Sequence, residues 1–229
     1  MLGTTSHLSW PRPVLDAQPL LARYMTAAHR TGLRILSVLG ARLGLPAGAL
    51  AEHHRLERES GDHVRLTRGP PRRSADLPEI QTPGHTDFGT VTILFNWLGG
   101  LQVWSDPSRG ETGFTNVIDP AGHGGPAEWL WVVPPPPGRA IVNLGDAAVK
   151  LTGGVFCSGR HRVVPAPGEQ GANPRYSIVY FVRPNDDTVL KTLKASGIPD
   201  GGDGEGDAIT AKEWIIQQSA ALGNTIQRS

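Results

Sequence analysis

The sequence predicts a mainly β protein with flanking helices, folded as a jelly-roll barrel. Short strand-like apolar runs occupy the middle of the chain, and many of its 29 glycines and 20 prolines separate them as turn signals. Apolar residues at helical spacing occur near the two ends instead. Helices do not alternate with the strand runs as a doubly wound sheet requires, so the pattern favours an antiparallel jelly roll.

The first predicted element is a helix over residues 16–44 that packs against the sheet as a support. Asp16 is the predicted N-cap, and Gly44 and Pro46 are expected to end the helix. A short strand is predicted at residues 64–66. Together with the linking residues, these elements form a predicted N-terminal segment over residues 1–78.

The predicted barrel core covers residues 79–190 and contains six further strands. A glycine-rich segment at residues 105–128 is expected to be a mobile loop near the barrel mouth, where it could gate access. Residues 191–229 are predicted to form a C-terminal loop and a helix from Thr210 to about Leu222, with Glu213 at the capping-box position. The strands are predicted near residues 90–95, 101–104, 129–133, 140–144, 161–164 and 176–182.

Composition excludes several classes of function. The 22 Lys and Arg residues nearly balance the 21 Asp and Glu residues, for a net charge of +1, so no charge field indicates binding to nucleic acid or to an anionic membrane. No apolar stretch is long enough to span a bilayer, and the first residues do not form a secretory signal. The single Cys157 rules out an internal disulfide. A cytoplasmic protein is the expectation.

His85, Asp87 and His161 are the candidate metal ligands. Residues at i and i+2 of a strand point to the same side, and a distant strand of a barrel can bring a second histidine beside them. Two imidazoles and one carboxylate can occupy one face of an Fe(II) octahedron and leave three positions open. Alternatively, His85 and Asp87 could form a polar turn before a strand, and His161 could be a hydrogen-bonded core histidine.

Five motifs, taken together and in the order in which they occur along the chain, resemble the 2-oxoglutarate/Fe(II)-dependent oxygenase superfamily in its isopenicillin N synthase-like branch. The sequence near Arg183 and over residues 211–215 resembles the fungal members that act in secondary metabolism. The resemblance covers about residues 10–222 and implies a double-stranded β-helix, Fe(II) as metal, 2-oxoglutarate and O₂ as co-substrates, and oxidation of a small molecule by hydroxylation, desaturation or rearrangement. The five motifs are GHTDFGTVTIL (84–94), GGLQV (99–103), VNLGD (142–146), SGRHRV (158–163) and RYS (175–177).

The resemblance assigns Arg175 and Ser177 to the carboxylate of 2-oxoglutarate that lies away from the metal. The chemistry agrees, because an arginine fork matches a carboxylate with two parallel hydrogen bonds and Ser177 faces the same side of its strand. Phe181 and Arg183 lie farther along the strand and are assigned to the substrate.

Three departures from the family pattern leave alternatives open. Gly69 stands where a tyrosine that approaches the co-substrate is usual, which keeps an Fe(II) oxidase without 2-oxoglutarate as an alternative. The segment between Asp87 and His161 is longer than usual. The usual N-terminal region is not present in this sequence, so a truncated non-catalytic homologue is a second alternative. An uncovered apolar face around Leu21, Met25 and Leu36 is then expected, with self-association as its result.

Overall fold

Two antiparallel sheets and four helices make up the computed structural model, which describes residues 10–71, 80–109, 117–118, 126–199 and 209–226. The helices are α1 (Arg12–Asp16), α2 (Gln18–Arg42), α3 (Asp146–Leu151) and α4 (Ala211–Ile226). The strands are β1 (His63–Gly69), β2 (Thr82–His85), β3 (Val91–Asn96), β4 (Leu101–Ser105), β5 (Val117–Ile118), β6 (Glu128–Val132), β7 (Ile141–Leu144), β8 (His161–Val163) and β9 (Arg175–Val182).

The first sheet has the strand order β1-β9-β3-β7, and the second has the order β2-β8-β4-β6-β5. Every pairing between named strands is antiparallel. Neighbours in space are mostly distant in the chain, as in a jelly roll and unlike a simple meander. The predicted fold class, mainly β with flanking helices, is confirmed.

The two faces of the first sheet have different partners because side chains alternate along each strand. Val91 and Tyr180 point outward and are fully buried in the main core, where they pack with Leu36 of α2. Leu94 lies on the opposite face of the first sheet and packs inward with Leu101 of the second sheet. The helix thus covers the outside of the sheet, and the inside is left to line the space between the sheets.

Helix α2 begins later than predicted, and its N-cap differs. Asp16 belongs to α1, where it accepts a hydrogen bond from Arg12 at 2.8 Å, so the prediction of Asp16 as N-cap is wrong. The N-cap is Ala17, which makes no capping bond with its side chain. A separate short helix, α1, therefore precedes the long helix. Its end agrees with the prediction, because Gly44 follows with a positive φ of 73°.

The apolar face of α2 is not centred where the sequence predicts it. Leu36 is only 1% exposed and belongs to the core, and Met25 packs against the same core. The exposed apolar side chains of this helix are Leu20 and Val38, at 60% and 65% exposure. The expectation of an uncovered face around Leu36 is therefore wrong.

The loop prediction at residues 105–128 is only partly testable. A 3₁₀ turn at Pro107–Arg109 and the two-residue strand β5, paired with β6, show that the segment is not entirely irregular. All five of its glycines lie outside the described residues, so the gating role stays a prediction.

The C-terminal helix α4 confirms the predicted capping box. The Thr210 backbone N–H donates to Glu213 Oε2 at 3.0 Å, and the Glu213 N–H donates to Thr210 Oγ1 at 3.3 Å. Within the described residues, no helix is both long and apolar enough to cross a bilayer. The division at residues 78 and 190 stays a prediction; β1, which precedes the first boundary, pairs with β9 along its whole length.

Candidate metal centre

His85 and His161 meet across a strand pair. His85 ends β2, and the register of β2 with β8 places it opposite His161, with the two ring centres 4.4 Å apart. A register shift between Thr82 and His85 marks an irregularity in β2. Asp87 follows two residues later, just beyond the strand. The three residues that the sequence nominates are thus brought to one point by pairing between distant strands.

The three side chains form a group that can hold a metal ion. The Nε2 atoms of His85 and His161 each lie 3.9 Å from Asp87 Oδ1. All three ligand atoms lie within 4.8 Å of one another. Atoms bound to one metal at 2.0–2.2 Å and at right angles lie about 3 Å apart. Small side-chain movements therefore suffice to close this set around an ion.

Backbone carbonyls set the tautomers of both histidines. His85 Nδ1 lies 2.9 Å from the Pro83 carbonyl, and His161 Nδ1 lies 2.9 Å from the Gly159 carbonyl. A carbonyl can only accept, so each Nδ1 carries the proton and donates it. In its neutral form, each imidazole then presents the lone pair of Nε2 towards Asp87, as metal coordination requires.

The carboxylate of Asp87 is oriented by two donors on its other oxygen. Thr92 Oγ1 donates to Asp87 Oδ2 at 2.7 Å, and Asn143 Nδ2 donates to the same oxygen at 2.8 Å. Oδ1 remains for the two imidazoles. Burial alone raises the pKa of Asp87, but the charge of His161 and these two hydrogen bonds outweigh it and lower the pKa below its usual value. Asp87 is therefore an anion at neutral pH.

His85 is kept neutral by its surroundings. Burial lowers the pKa of His85 below its usual value, and the positive charges of His161 and Arg65 lower it further. A neutral imidazole is the form that binds a metal. The electrostatics of the site therefore favour the protonation state that iron needs.

The segment between β7 and α3 supports the metal-binding loop, a role that the sequence did not reveal. Asp146 accepts a hydrogen bond from Thr86 Oγ1 at 2.8 Å and another from Ser158, and its backbone N–H donates to the Asp87 carbonyl at 2.8 Å. Any side chain at Gly145 would collide with the Asp87 carbonyl, 2.5 Å from an ideal Cβ. The position of Asn143 and Asp146 in the VNLGD motif was the available signal in the sequence.

The metal centre lies on the wall of a cavity of about 730 Å³ between the two sheets. Arg175 lines this cavity and is 6% exposed. Its Nε donates to the Gly99 carbonyl at 3.0 Å, which fixes the guanidinium, while its buried Nη2 has no hydrogen-bond partner among the described residues. Burial lowers the pKa of Arg175, but not enough to remove its charge at neutral pH. A buried cation with an unused donor fits a carboxylate ligand.

Ser177 and Gly69 lie beside Arg175 on the inner face. Ser177 is buried and its hydroxyl shares a hydrogen bond with Thr67. Gly69 pairs with Arg175 in the strand register, and an ideal Cβ on it would lie 2.7 Å from Gln81 Oε1. The carboxamide of Gln81 thus occupies the space above Gly69, so the glycine does not leave a gap in the polar lining.

Phe181 and Arg183 have different positions. Phe181 lines the cavity and is stacked on His63, with ring centres 4.7 Å apart. Arg183 is not among the residues that line this cavity. Its backbone N–H donates to Asp62 at 2.6 Å, and its buried Nε has no hydrogen-bond partner among the described residues. The structure therefore brings Phe181, but not Arg183, to the cavity wall.

Known proteins resemble this chain in sequence. It is 35% identical over 214 residues to a 2-oxoglutarate-dependent dioxygenase of Aspergillus fumigatus, covering 91% of this chain and 54% of the relative. It is 29% identical over 205 residues to the 2-oxoglutarate-dependent dioxygenase iboH of Amanita muscaria, covering 89% of this chain and 85% of the relative. The chain thus spans about half the length of the Aspergillus relative.

The fold also has solved counterparts. Full-length T7H of Neurospora crassa, crystallised in complex with alpha-KG, superimposes with a TM-score of 0.73 at 20% identity, covering 92% of this chain and 64% of that one. This likeness supports the double-stranded β-helix that the two facing sheets form. The model of the 2OG-Fe(II) oxygenase superfamily matches residues 60–184, which contain both sheets' central strands and the whole candidate metal centre. The chain therefore belongs to the 2OG-Fe(II) oxygenase superfamily.

Proposed function

We propose that this chain is a non-haem Fe(II)/2-oxoglutarate-dependent dioxygenase that oxidises a small organic molecule, in fungal secondary metabolism. The observation that carries the proposal is the convergence of His85, Asp87 and His161 on the wall of a cavity that also contains the unpaired guanidinium nitrogen of Arg175. A metal triad alone fits many reactions. A buried cation in the same cavity adds the binding site that a 2-oxoacid with a second carboxylate requires.

Each group of the chain has a defined task in this proposal. His85 and His161 would hold iron through Nε2, and Asp87 would hold it through Oδ1, while Thr92 and Asn143 keep Asp87 in orientation. The free side of the cavity remains for the co-substrate and O₂.

The co-substrate would be held at its other end by Arg175. Ser177, whose hydroxyl is bonded to Thr67, would add a hydrogen bond beside that guanidinium. Gln81 also lines the cavity; its Nε2 donates one N–H to the Pro70 carbonyl at 3.5 Å, and its second N–H would be available to the co-substrate. The apolar lining from Leu94, Leu101 and Val132 keeps water away from the reacting groups.

Iron with 2-oxoglutarate would supply the oxidising chemistry. One atom of O₂ enters succinate as 2-oxoglutarate loses CO₂, and the other atom oxidises the substrate, which is hydroxylated in the simplest outcome. Desaturation and rearrangement consume the same reagents. The substrate contacts proposed for this chain are Phe181, on the cavity wall, and Arg183, which lies behind it with its guanidinium carbon 5.9 Å from the ring centre of Phe181.

An anaerobic titration with Fe(II) and 2-oxoglutarate tests the proposal. A weak visible absorption band should form only when both are present, because it requires chelation of the metal by the 2-oxoacid. Glutarate, which has the same two carboxylates but no keto group, is the matched control ligand and should give no band. Failure of 2-oxoglutarate to give a band would favour the oxidase, and failure of Fe(II) to bind would favour the non-catalytic homologue.

Two finer predictions accompany this function. A cytoplasmic location is one, and fractionation of cells that express the native gene checks it. Self-association is the other. Because Leu36 is buried, self-association would have to use other apolar residues such as Leu20 and Val38. Sedimentation at several protein concentrations measures it.

A further inference from the structure

An arginine on the inner face of β1 has no role in the proposed binding of metal or 2-oxoglutarate. Arg65 is directly opposite Val179 of β9 in the strand register. Alternation along the two strands places Arg65 and Thr67 on the face that also carries Ser177 and Phe181. Arg65 accordingly lines the cavity, although solvent also reaches it. It thus lies where the cavity opens.

The guanidinium of Arg65 is positioned by an aromatic ring and not by a counter-charge. Its central carbon lies 5.1 Å from the ring centre of Phe181, which is itself buried. A cation over an aromatic face is held by the ring quadrupole and keeps its N–H groups free. Among the described residues, no carboxylate lies within ion-pair distance of Arg65. Arg65 is an exposed residue that lines the cavity, so its guanidinium is free to bind an anion that enters there.

The charges of the proposed complex do not supply that anion. The two charges of Fe(II) and the charge of Arg175 are balanced by Asp87 and by the two carboxylates of 2-oxoglutarate. His85 and His161 add no charge, because an imidazole binds a metal in its neutral form. The loaded cavity therefore retains the positive charge of Arg65, together with that of Arg68, whose Nε donates to the Tyr176 hydroxyl at 3.3 Å. A low-dielectric cavity concentrates such a field and attracts anions.

We infer that Arg65 is a specificity-determining residue that binds a carboxylate on the substrate, so that the substrate class is a small organic acid with an apolar or aromatic body. The inference rests on the proposed function, since it concerns the molecule that shares the cavity with 2-oxoglutarate. The planar fork of Arg65 provides two parallel donors for a carboxylate. The ring of Phe181 lies beside it and provides an apolar surface for the body of the same molecule. The three metal ligands line the same cavity.

Paired acids and amides test this recognition without turnover. The chain is loaded with Mn(II) and saturating 2-oxoglutarate under argon, and calorimetry measures the binding of benzoate, phenylacetate and 2-naphthoate against benzamide, phenylacetamide and 2-naphthamide. Saturation with 2-oxoglutarate excludes the acids from Arg175. We expect the best acid to bind about tenfold or more tightly than its amide, because a charge-assisted pair replaces a neutral one.

Variants then locate the preference. Arg65→Gln should weaken that acid by about tenfold and leave the amide unchanged, so that the ratio approaches one. Arg65→Lys, which keeps the charge without the planar fork, should preserve part of the ratio. Arg34→Gln, on the exposed side of α2, is the matched control and should preserve all of it.

The outcomes separate the two proposals. Equal binding of acids and amides, no binding of any acid, or an unchanged ratio in Arg65→Gln would overturn the role of Arg65. If Mn(II) and 2-oxoglutarate bind to wild type and Arg65→Gln alike, these results contradict this inference alone and leave the proposed function intact. If 2-oxoglutarate does not bind to the Mn(II)-loaded wild type, the proposed function fails and the inference fails with it.

Discussion

Arg175 enters the cavity with its Nε bonded to the Gly99 carbonyl and its Nη2 unpaired. Replacing it with leucine keeps an apolar stem of similar volume and removes the cation. We expect Arg175→Leu to weaken binding of 2-oxoglutarate by about 30-fold or more, because a buried carboxylate that loses a charged partner costs about 2–5 kcal/mol. Calorimetry with Mn(II)-loaded protein measures this. The affinity for Mn(II) itself is the internal control and should not change. An unchanged affinity for 2-oxoglutarate would exclude the assigned role.

The hydroxyl of Thr92 acts on the metal through Asp87. Thr92→Val is nearly isosteric and removes one of the two donors to Asp87 Oδ2, leaving that of Asn143. We expect about tenfold weaker binding of Mn(II) or Fe(II), since partners of metal ligands typically contribute 10–100-fold to affinity. Thr31→Val is the matched control, because the Thr31 hydroxyl bonds only a carbonyl on the exposed side of α2. Equal metal affinity in Thr92→Val and wild type would contradict this role.

The three residues that the structure brings together at the candidate metal centre could be nominated from the sequence because each lies in a recognisable motif. His85 and Asp87 lie two residues apart, and His161 is in a motif of its own, so residue type and context nominated all three. Asn143 was missed because its function depends on proximity to Asp87 across two strands. Gln81 was missed because its carboxamide fills the space beside Gly69, a packing relation that no spacing rule reveals.

At the scale of elements, helix α2 and strand β9 approach each other closely at Gly32. An ideal Cβ on Gly32 would lie 2.6 Å from Val182 Cγ2, and Val182 is fully buried and stiff at χ1. We expect Gly32→Ala to lower the free energy of unfolding by about 1–3 kcal/mol through overpacking. Chemical denaturation measures it.

Gly40 of the same helix is the control for this substitution. An ideal Cβ there meets Leu50 Cδ1 at 3.5 Å, which is ordinary contact. Gly40→Ala should therefore raise stability by about 0.5–1 kcal/mol, the usual gain of alanine over glycine inside a helix. The two variants should thus move stability in opposite directions. A gain in stability in both variants would show that helix propensity, and not contact with Val182, controls this interface.

Strands with a strong apolar signal were predicted within about a residue. β3 (Val91–Asn96) and β9 (Arg175–Val182) are rich in β-branched and aromatic residues, so their local preference agrees with the final structure. β2 was missed because its sequence, Thr-Pro-Gly-His, has no strand preference and depends on pairing with β8. α3 was missed because it has only 6 residues and starts after Gly145. The structure of such short elements is determined by tertiary contacts, which the local sequence does not reveal.

At the scale of the whole molecule, a buried histidine links stability to pH. His54 is completely buried, donates from Nδ1 to the Leu50 carbonyl at 2.7 Å and accepts at Nε2 from Thr90 Oγ1 at 2.7 Å. Burial lowers the pKa of His54 from 6.5 to about 4. Between these two values the unfolded chain binds a proton that the folded chain does not, so stability falls as the pH is lowered.

His54→Gln isolates this contribution. The difference in unfolding free energy between wild type and His54→Gln should be constant above about pH 7 and should shift against wild type by about 3 kcal/mol by pH 4. Denaturant titrations at half-unit steps measure it, and other titrating groups cancel in the difference. A difference that does not change with pH would show that His54 is protonated equally in both states.

Strand β1 pairs only with β9 among the described strands, and it carries Arg65 and Thr67 on the cavity wall. An edge strand can detach without the rest of the sheet, and each detachment would open the cavity sideways. Amide protons of β1 exchange with deuterium during those moments, so a ligand that binds only the closed cavity slows that exchange by a factor of one plus the ratio of its concentration to its dissociation constant. At 100 times its dissociation constant, 2-oxoglutarate with Mn(II) should slow exchange in β1 by up to about 100-fold and leave α4 unaffected. Equal protection of β1 and α4 would mean that the cavity opens only when the whole molecule unfolds. Otherwise, the rate at which β1 detaches from β9 limits how long a ligand stays in the cavity.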